Sequence, residues 1–197
     1  GIRDIGVTEF RRVLFRSIDR EGNPISDIEP WHNLPHLDFK TLIIHSPILP
    51  SSMMFRRPWW EKVGGFDSRF NGVDDAEFVW RLAVAGCQAI WLQKVTVGYR
   101  QHEQTVSNQK AVERAETLIA AQNYFFSQSH LSDAVRQLEK PARYQELTWL
   151  AWHLYYTKNY QNMAEYLQKS LAYTPDNIPI TISDWIKRFT GHCNAYG

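Results

Sequence analysis

Four carboxylates stand within eleven positions of this chain, Asp67, Asp74, Asp75 and Glu77, behind the pair Gly64-Gly65. A carboxylate at such a place does one of two things. It takes a proton from a reacting hydroxyl held within hydrogen-bond reach, or it sits at a helix start, where free N–H groups and the helix dipole favour negative charge. By residue type alone the second reading leads. Asp67 follows Gly-Gly-Phe and reads as a turn acid. Asp74, with Glu77 three residues on, reads as an N-cap in a relative of the capping box, and Arg81 completes an i to i+4 pair with Glu77. Trp59 and Trp60 offer either a flat apolar platform for a sugar ring or two core side chains. His102, in a polar loop, reads as solvated, and Arg100 as a strand-end cation.

These groups must be positioned by the elements around them. Residues 58–63 read as a short helix, because Pro58 suits its first position and Gly64-Gly65 its exit. Residues 74–85 read as an amphipathic helix with Phe78, Val79, Leu82 and Ala85 on one stripe and Gly86 as its stop. The runs Thr41-Leu42-Ile43-Ile44-His45 and Ser52-Met53-Met54-Phe55-Arg56 read as short strands. Ala89-Ile90-Trp91-Leu92 and Thr96-Val97-Gly98-Tyr99-Arg100 read as two more. A Gly22-Asn23-Pro24 turn marks a hairpin tip. Beyond residue 108 the pattern is helical: 111–126, 131–138 closed off by Pro141, 144–156, 160–173, and 183–189 capped near Ser183. The pair joined by Thr157-Lys158-Asn159 looks like one tetratricopeptide hairpin, with Tyr160, Leu167, Leu171 and Pro175 near the expected spacing, although Met163 and Ser170 replace small alanines. One such repeat cannot bury its own face and must dock on a neighbour.

The chain has 197 residues, 44% hydrophobic and 14% aromatic, ample for one core and a small second one. No apolar run reaches the roughly 18 to 20 residues that cross a bilayer. Cys87 and Cys193 lie far apart without metal-like spacing, which argues against a disulfide framework or a zinc site and suits a reducing compartment. Residues 1–17 read differently from the rest. Gly1-Ile2-Arg3-Asp4 and Glu9-Phe10-Arg11-Arg12-Val13-Leu14-Phe15-Arg16-Ser17 back-translate, in order, into two stretches of a standard short-read sequencing adapter. The segment is therefore set aside from fold reasoning, as a tag would be. Without its four arginines and two acids the 22 basic and 21 acidic residues fall to 18 and 19, turning a net charge of +1 into −1. No electrostatic footprint for nucleic acid remains.

Four blocks carry a resemblance. Pro47-Ile48-Leu49-Pro50-Ser51-Ser52-Met53-Met54-Phe55-Arg56-Arg57, then Val63-Gly64-Gly65-Phe66-Asp67, then Asp74-Asp75-Ala76-Glu77-Phe78-Val79-Trp80-Arg81-Leu82-Ala83-Val84-Ala85-Gly86, then Tyr99-Arg100-Gln101-His102 on to Ser107 resemble, in order and spacing, the second half of a GT-A-fold, family 2 glycosyltransferase. The resemblance covers residues 18–107. It implies an α/β fold over 18–108, a partial GT-A (Rossmann-like) domain lacking its N-terminal nucleotide-binding half and that half's Asp-x-Asp motif. An all-α helical extension over 109–190 and a tail over 191–197 follow.

The same resemblance implies inverting transfer of a sugar from a nucleotide-sugar donor to a glycan, lipid or protein acceptor. A divalent metal, Mg or Mn, offsets charge on the leaving diphosphate. Asp75 falls on the family's base. Asp74 stands where the family has Glu, with the same charge on a shorter arm, and helps orient the acceptor. His102 falls near the diphosphate and metal and Arg100 near phosphate, while Trp59 and Trp60 suit the acceptor sugar. The chain as it stands is expected to be inactive and to leave strand edges open. The implied setting is the cytoplasmic side of a membrane, with peripheral association and no nucleic-acid partner. The rival reading is a non-catalytic helical protein-interaction module, in which the helices after residue 110 bind a protein partner and the acidic helix only packs. The transferase reading predicts Asp75 and His102 on one cleft, and the module reading predicts Asp75 in bulk solvent.

Overall fold

The computed structural model describes residues 10–47, 50–100 and 110–190. The elements run β1 (Phe10–Ile18), β2 (Pro24–Ile28), α1 (Phe39–His45), β3 (Met53–Phe55), α2 (Arg57–Val63), α3 (Asp74–Val84) and β4 (Ala89–Arg100). Helices α4 (Ala111–Phe126), α5 (Asp133–Arg136), α6 (Glu139–Tyr156), α7 (Tyr160–Ser170) and α8 (Ile178–Thr190) complete a mixed α/β chain.

Strand β1 is the centre of a mixed sheet. It pairs antiparallel with β2 over residues 15–18 and with β3 over residues 10–12, while β4 runs parallel to it along its whole length. Most of β1 thus comes from the segment set aside on sequence grounds. Without it β2, β3 and β4 would each present unpaired backbone, the exposed edge that proteins cover. The two strands expected at 89–92 and 96–100 are one. Register against β1 slips on either side of Leu14, so the interruption at 93–95 is absorbed as bulging.

The run Thr41-Leu42-Ile43-Ile44-His45 is a helix, not a strand. Asp38 decides it: its carboxylate accepts the Thr41 N–H at 2.8 Å as a side-chain N-cap. Helical spacing then buries Leu42 and Ile43 together, and packing overrides the weak strand preference of β-branched residues. In α3 the N-cap position belongs to Val73, which makes no side-chain cap, and Asp74 is the first helical residue. Its exit follows the sequence. Gly86, at φ 85°, donates to the Ala83 carbonyl and Cys87 donates to the Leu82 carbonyl, a Schellman closure.

Pro141 does not close a helix; it lies in the first turn of α6, where a missing N–H costs nothing. The last helix begins at Ile178 rather than near Ser183, with the Asn177 side chain accepting the Ile180 N–H at 3.2 Å. One apolar core runs through both halves, joining Leu42 and Ile43 of α1, Phe78 and Trp80 of α3, Phe125 of α4 and Leu150 and Leu154 of α6. Trp80 meets Phe125 ring to ring at 5.4 Å and donates its indole N–H to the Ser46 hydroxyl at 2.7 Å. The helices after residue 110 are therefore part of the same folded body.

Glu77 is 1% exposed, and its carboxylate is held by Arg81 through two hydrogen bonds of 2.7 and 2.6 Å. The same guanidinium donates to the Val63 carbonyl and, at 2.7 Å, to the Gly65 carbonyl. Arg81→Ala would leave a buried carboxylate unpaired and free both carbonyls, a loss of about 3–5 kcal/mol. Urea unfolding is expected to show that loss, with Arg81→Lys recovering only part of it, because an ammonium cannot span the two carbonyls and the carboxylate in one plane. Equal stability for Arg81→Ala and the parent chain would remove this pair from the account.

Candidate functional site

The site is built on the first turn of α3. Asp75 lies on the side of α3 that carries Val79 and Leu82, both buried, so its carboxyl is half-buried although it stands near the helix start. Burial pushes this carboxyl above the ordinary aspartate range. The Ala76 backbone N–H and the charge of Arg114 pull the other way, and the adjacent Asp74 charge adds to the push. Asp75 is not in bulk solvent.

The neighbours that matter come from the helices after residue 110. Arg114, on α4, donates from Nε to the Gly72 carbonyl at 3.0 Å, which fixes its guanidinium beside the turn that leads into α3. Glu146, on α6, is 8% exposed and lies within the field of both Arg114 and Asp75. Burial pushes its carboxyl up to about 8, Arg114 pulls it down and Asp75 pushes it further up. Two carboxyl groups thus share one fixed cation in a poorly hydrated place. Near neutral pH Glu146 keeps its proton.

Glu146 escaped the sequence reading, although one signal for it exists. It stands four residues after Ala142 and four before Leu150, in phase with the buried face of α6. A charged residue at an apolar position of a helix is the kind of exception that points to a partner.

The other expected residues disperse. Trp60 packs inside an aromatic cluster, stacked on Phe55 at 5.9 Å and meeting Phe66 and Phe78 at 5.0 and 5.3 Å. Gly65, at φ 73°, lies so close that an added Cβ would stand 2.6 Å from the Trp60 ring. That is the core alternative for Trp60. Trp59 is half-buried, with Lys62 Nζ 4.4 Å from its ring centre. Arg100 grips the turn between β1 and β2 by donating to the Asp19 and Arg20 carbonyls, which is the strand-end role. His102 lies outside the described residues. Asp67 caps the turn at residues 68–70, bound by the Arg69 backbone and guanidinium, which hold its carboxyl down to about 2.

An open cavity of about 380 Å³ lies between the Gly64-Gly65 turn, the Glu77–Arg81 pair and Tyr124. It faces the Glu77 side of α3, and Glu77 points away from Asp75, two residues and about 200° of helical rotation apart. Among the described residues no three His, Cys, Asp or Glu side chains come together as a metal set. The groups on α3 and α6 offer proton chemistry.

Burial of Glu146 has a measurable consequence. Between about pH 4.5, where an unfolded glutamate ionises, and about 8, where the native one does, the folded chain holds a proton that the unfolded chain has lost. Stability contributed at this position is present below that window and falls as pH rises through it, by about a few kcal/mol in total. Thermal or urea unfolding of Glu146→Gln is expected to lose that decline, matching the parent near pH 5 and exceeding it above pH 8. Parallel stability–pH curves for the two chains would show that Glu146 titrates normally.

A comparison with protein-family models, with curated proteins and with solved structures found no match to this chain.

Proposed function

We propose that residues 18–107 form the acceptor-side part of an inverting GT-A glycosyltransferase and that Asp75 is its general base. The observation that carries this reading is the environment of Asp75. It is a half-buried carboxyl at a helix start, with its proton affinity raised and a fixed cation nearby. A base whose proton affinity burial raises removes a hydroxyl proton more effectively than a fully solvated aspartate. The four sequence blocks shared with that family support the same assignment.

In the proposed step the Asp75 carboxylate takes the proton of an acceptor hydroxyl as that oxygen bonds to the anomeric carbon. The bond from that carbon to the donor diphosphate breaks on the opposite face, with inversion. Asp74 sits beside it and orients the acceptor, and Trp59 offers the ring face for the acceptor sugar. The acceptor is a glycan, a lipid or a protein. The nucleotide-sugar and its Mg or Mn belong to a nucleotide-binding half carrying Asp-x-Asp, with His102 as the contact from this chain, so residues 18–190 alone are proposed to be inactive. No helix among the described residues is long and apolar enough to cross a membrane. The proposed setting is the cytoplasmic face, by peripheral attachment.

The test joins the chain, with β1 retained, to a donor-binding half and compares Asp75→Asn with the parent. Turnover is expected to fall by about 10²–10⁴-fold, while donor binding, followed by calorimetry, stays unchanged. Undiminished turnover would remove Asp75 from the mechanism. A second reading has an observation of its own: α8 leaves Ile178, Ile182 and Ile186 in water, which suits a docking surface for a protein partner.

A further inference from the structure

Helix α3 begins without a cap of its own. Val73, at the N-cap position, has no side-chain oxygen to offer the N–H groups of the first turn, and no side-chain cap is made there. The turn before it is fixed from outside, by α4, at two places. Toward the end of α4, the Tyr124 ring lies 5.6 Å from that of Phe70 and 4.2 Å from the Arg69 guanidinium. Near its start, Arg114 donates from Nε to the Gly72 carbonyl at 3.0 Å. Gly72 takes φ 90°, which favours glycine, and a Cβ there would stand 3.7 Å from Arg114 Cγ, so backbone and arginine stem already lie in close approach. Two backbone bonds flank this grip: Val73 donates to the Phe70 carbonyl at 3.0 Å and Glu77 to the Val73 carbonyl at 3.3 Å. The second of them closes the turn of α3 that carries Asp75.

We propose that Arg114 is a positioning residue for Asp75, holding from α4 the turn that no cap of α3 holds and keeping a positive charge beside the first turn of that helix. The proposal rests on the reading of Asp75 as a base and adds what keeps that base in place. Charge supports it. A cation at a helix N-terminus is opposed by the helix dipole, so the stability of α3 does not account for Arg114 at this end, whereas an aspartate that must stay ionised does. The charged and titratable groups around Asp75, among the described residues, are Asp74 on its own helix, Arg114 on α4 and Glu146 on α6. Asp74 works against a second carboxylate beside it, Glu146 keeps its proton near neutral pH, and Arg114 favours the ionised form. Geometry supports it as well. A base must stand within about 2.6–3.2 Å of the hydroxyl it serves, and a misplacement of about 1 Å costs roughly 10²-fold in rate, so a turn held at residues 69–70 and again at Gly72 has a use beyond folding. Arg114 lies outside residues 18–107, which places α4 within the catalytic unit.

The test uses the full chain with carbon-13 in its aspartate carboxyls, the Asp75 signal being the one that Asp75→Asn removes. In Arg114→Gln the Asp75 carboxyl is expected to titrate at higher pH than in the parent, and the Val73 and Glu77 amides to exchange with solvent faster. Arg114→Lys, which keeps the charge, is expected to hold the titration nearer the parent's than Arg114→Gln does. An Asp75 titration unmoved by Arg114→Gln would overturn the proposal, and so would unchanged exchange at both amides. In the chain joined to a donor-binding half, the acid limb of the turnover profile is expected to move to higher pH in Arg114→Gln, in step with the carboxyl signal. The two proposals fail separately. Full turnover in Asp75→Asn would remove the base and leave the titration and exchange results to decide the place of Arg114, whereas an unmoved titration would remove Arg114 and leave Asp75 standing.

Discussion

A single guanidinium sets the arrangement from which the site follows. Glu77 is in the interior, where an ionised carboxylate is tolerated only with a partner, and Arg81 supplies that partner one turn along the same helix. A surface pair of this spacing contributes a few tenths of a kcal/mol; this one gains weight from burial and from its remaining donors. They reach the Val63 and Gly65 carbonyls, the groups that the end of α2 leaves without helical partners. One side chain therefore closes α2, holds the Gly64-Gly65 turn and locks the rotation of α3. With Glu77 fixed toward the turn, Asp75 is fixed toward α4 and α6, since positions two apart on a helix point nearly oppositely.

The order of events along α3 was legible in the residues, because its signals are local. The i to i+4 pair and the glycine exit each depend on neighbours within five positions and stand where expected, while α2 opens at Arg57, one residue before its proline. The hydroxyl-free Val73 at the N-cap position was not legible, since Asp74 carries the better cap chemistry and lost the place to the backbone path out of Gly72. Helix α1 fails for a related reason. Its β-branched run invites a strand, and the deciding cap, Asp38, stands outside the run. The centre of the sheet was beyond reach altogether. Pairing between β1 and β4 joins residues some eighty positions apart, and no local pattern in either strand names its partner.

Glu146 shows the limit from the side of the site. Read on a helical wheel, α6 has a charged position in phase with its apolar stripe; read by type, glutamate belongs to solvent. Only the packing decides, because α1, α4, α7 and α8 surround α6 and bury even Thr148, whose hydroxyl turns back to the Tyr144 and Gln145 carbonyls. One core spans the boundary expected near residue 108. The helices that look like an appendage supply the cation that acts on Asp75 and a second carboxyl on which Asp75 acts.

That pairing bears on what Asp75 can do. A lone half-buried aspartate gains basicity only at the risk of remaining protonated, and then it is no base at all. A second buried carboxyl resolves the conflict if it is the harder one to ionise. Glu146, more deeply enclosed, holds its proton through neutral pH and stays uncharged. Arg114, tied to the Gly72 carbonyl, favours the ionised form of Asp75. The difference in burial separates the two carboxyls: burial raises both, and the one inside the bundle is raised up to about 8.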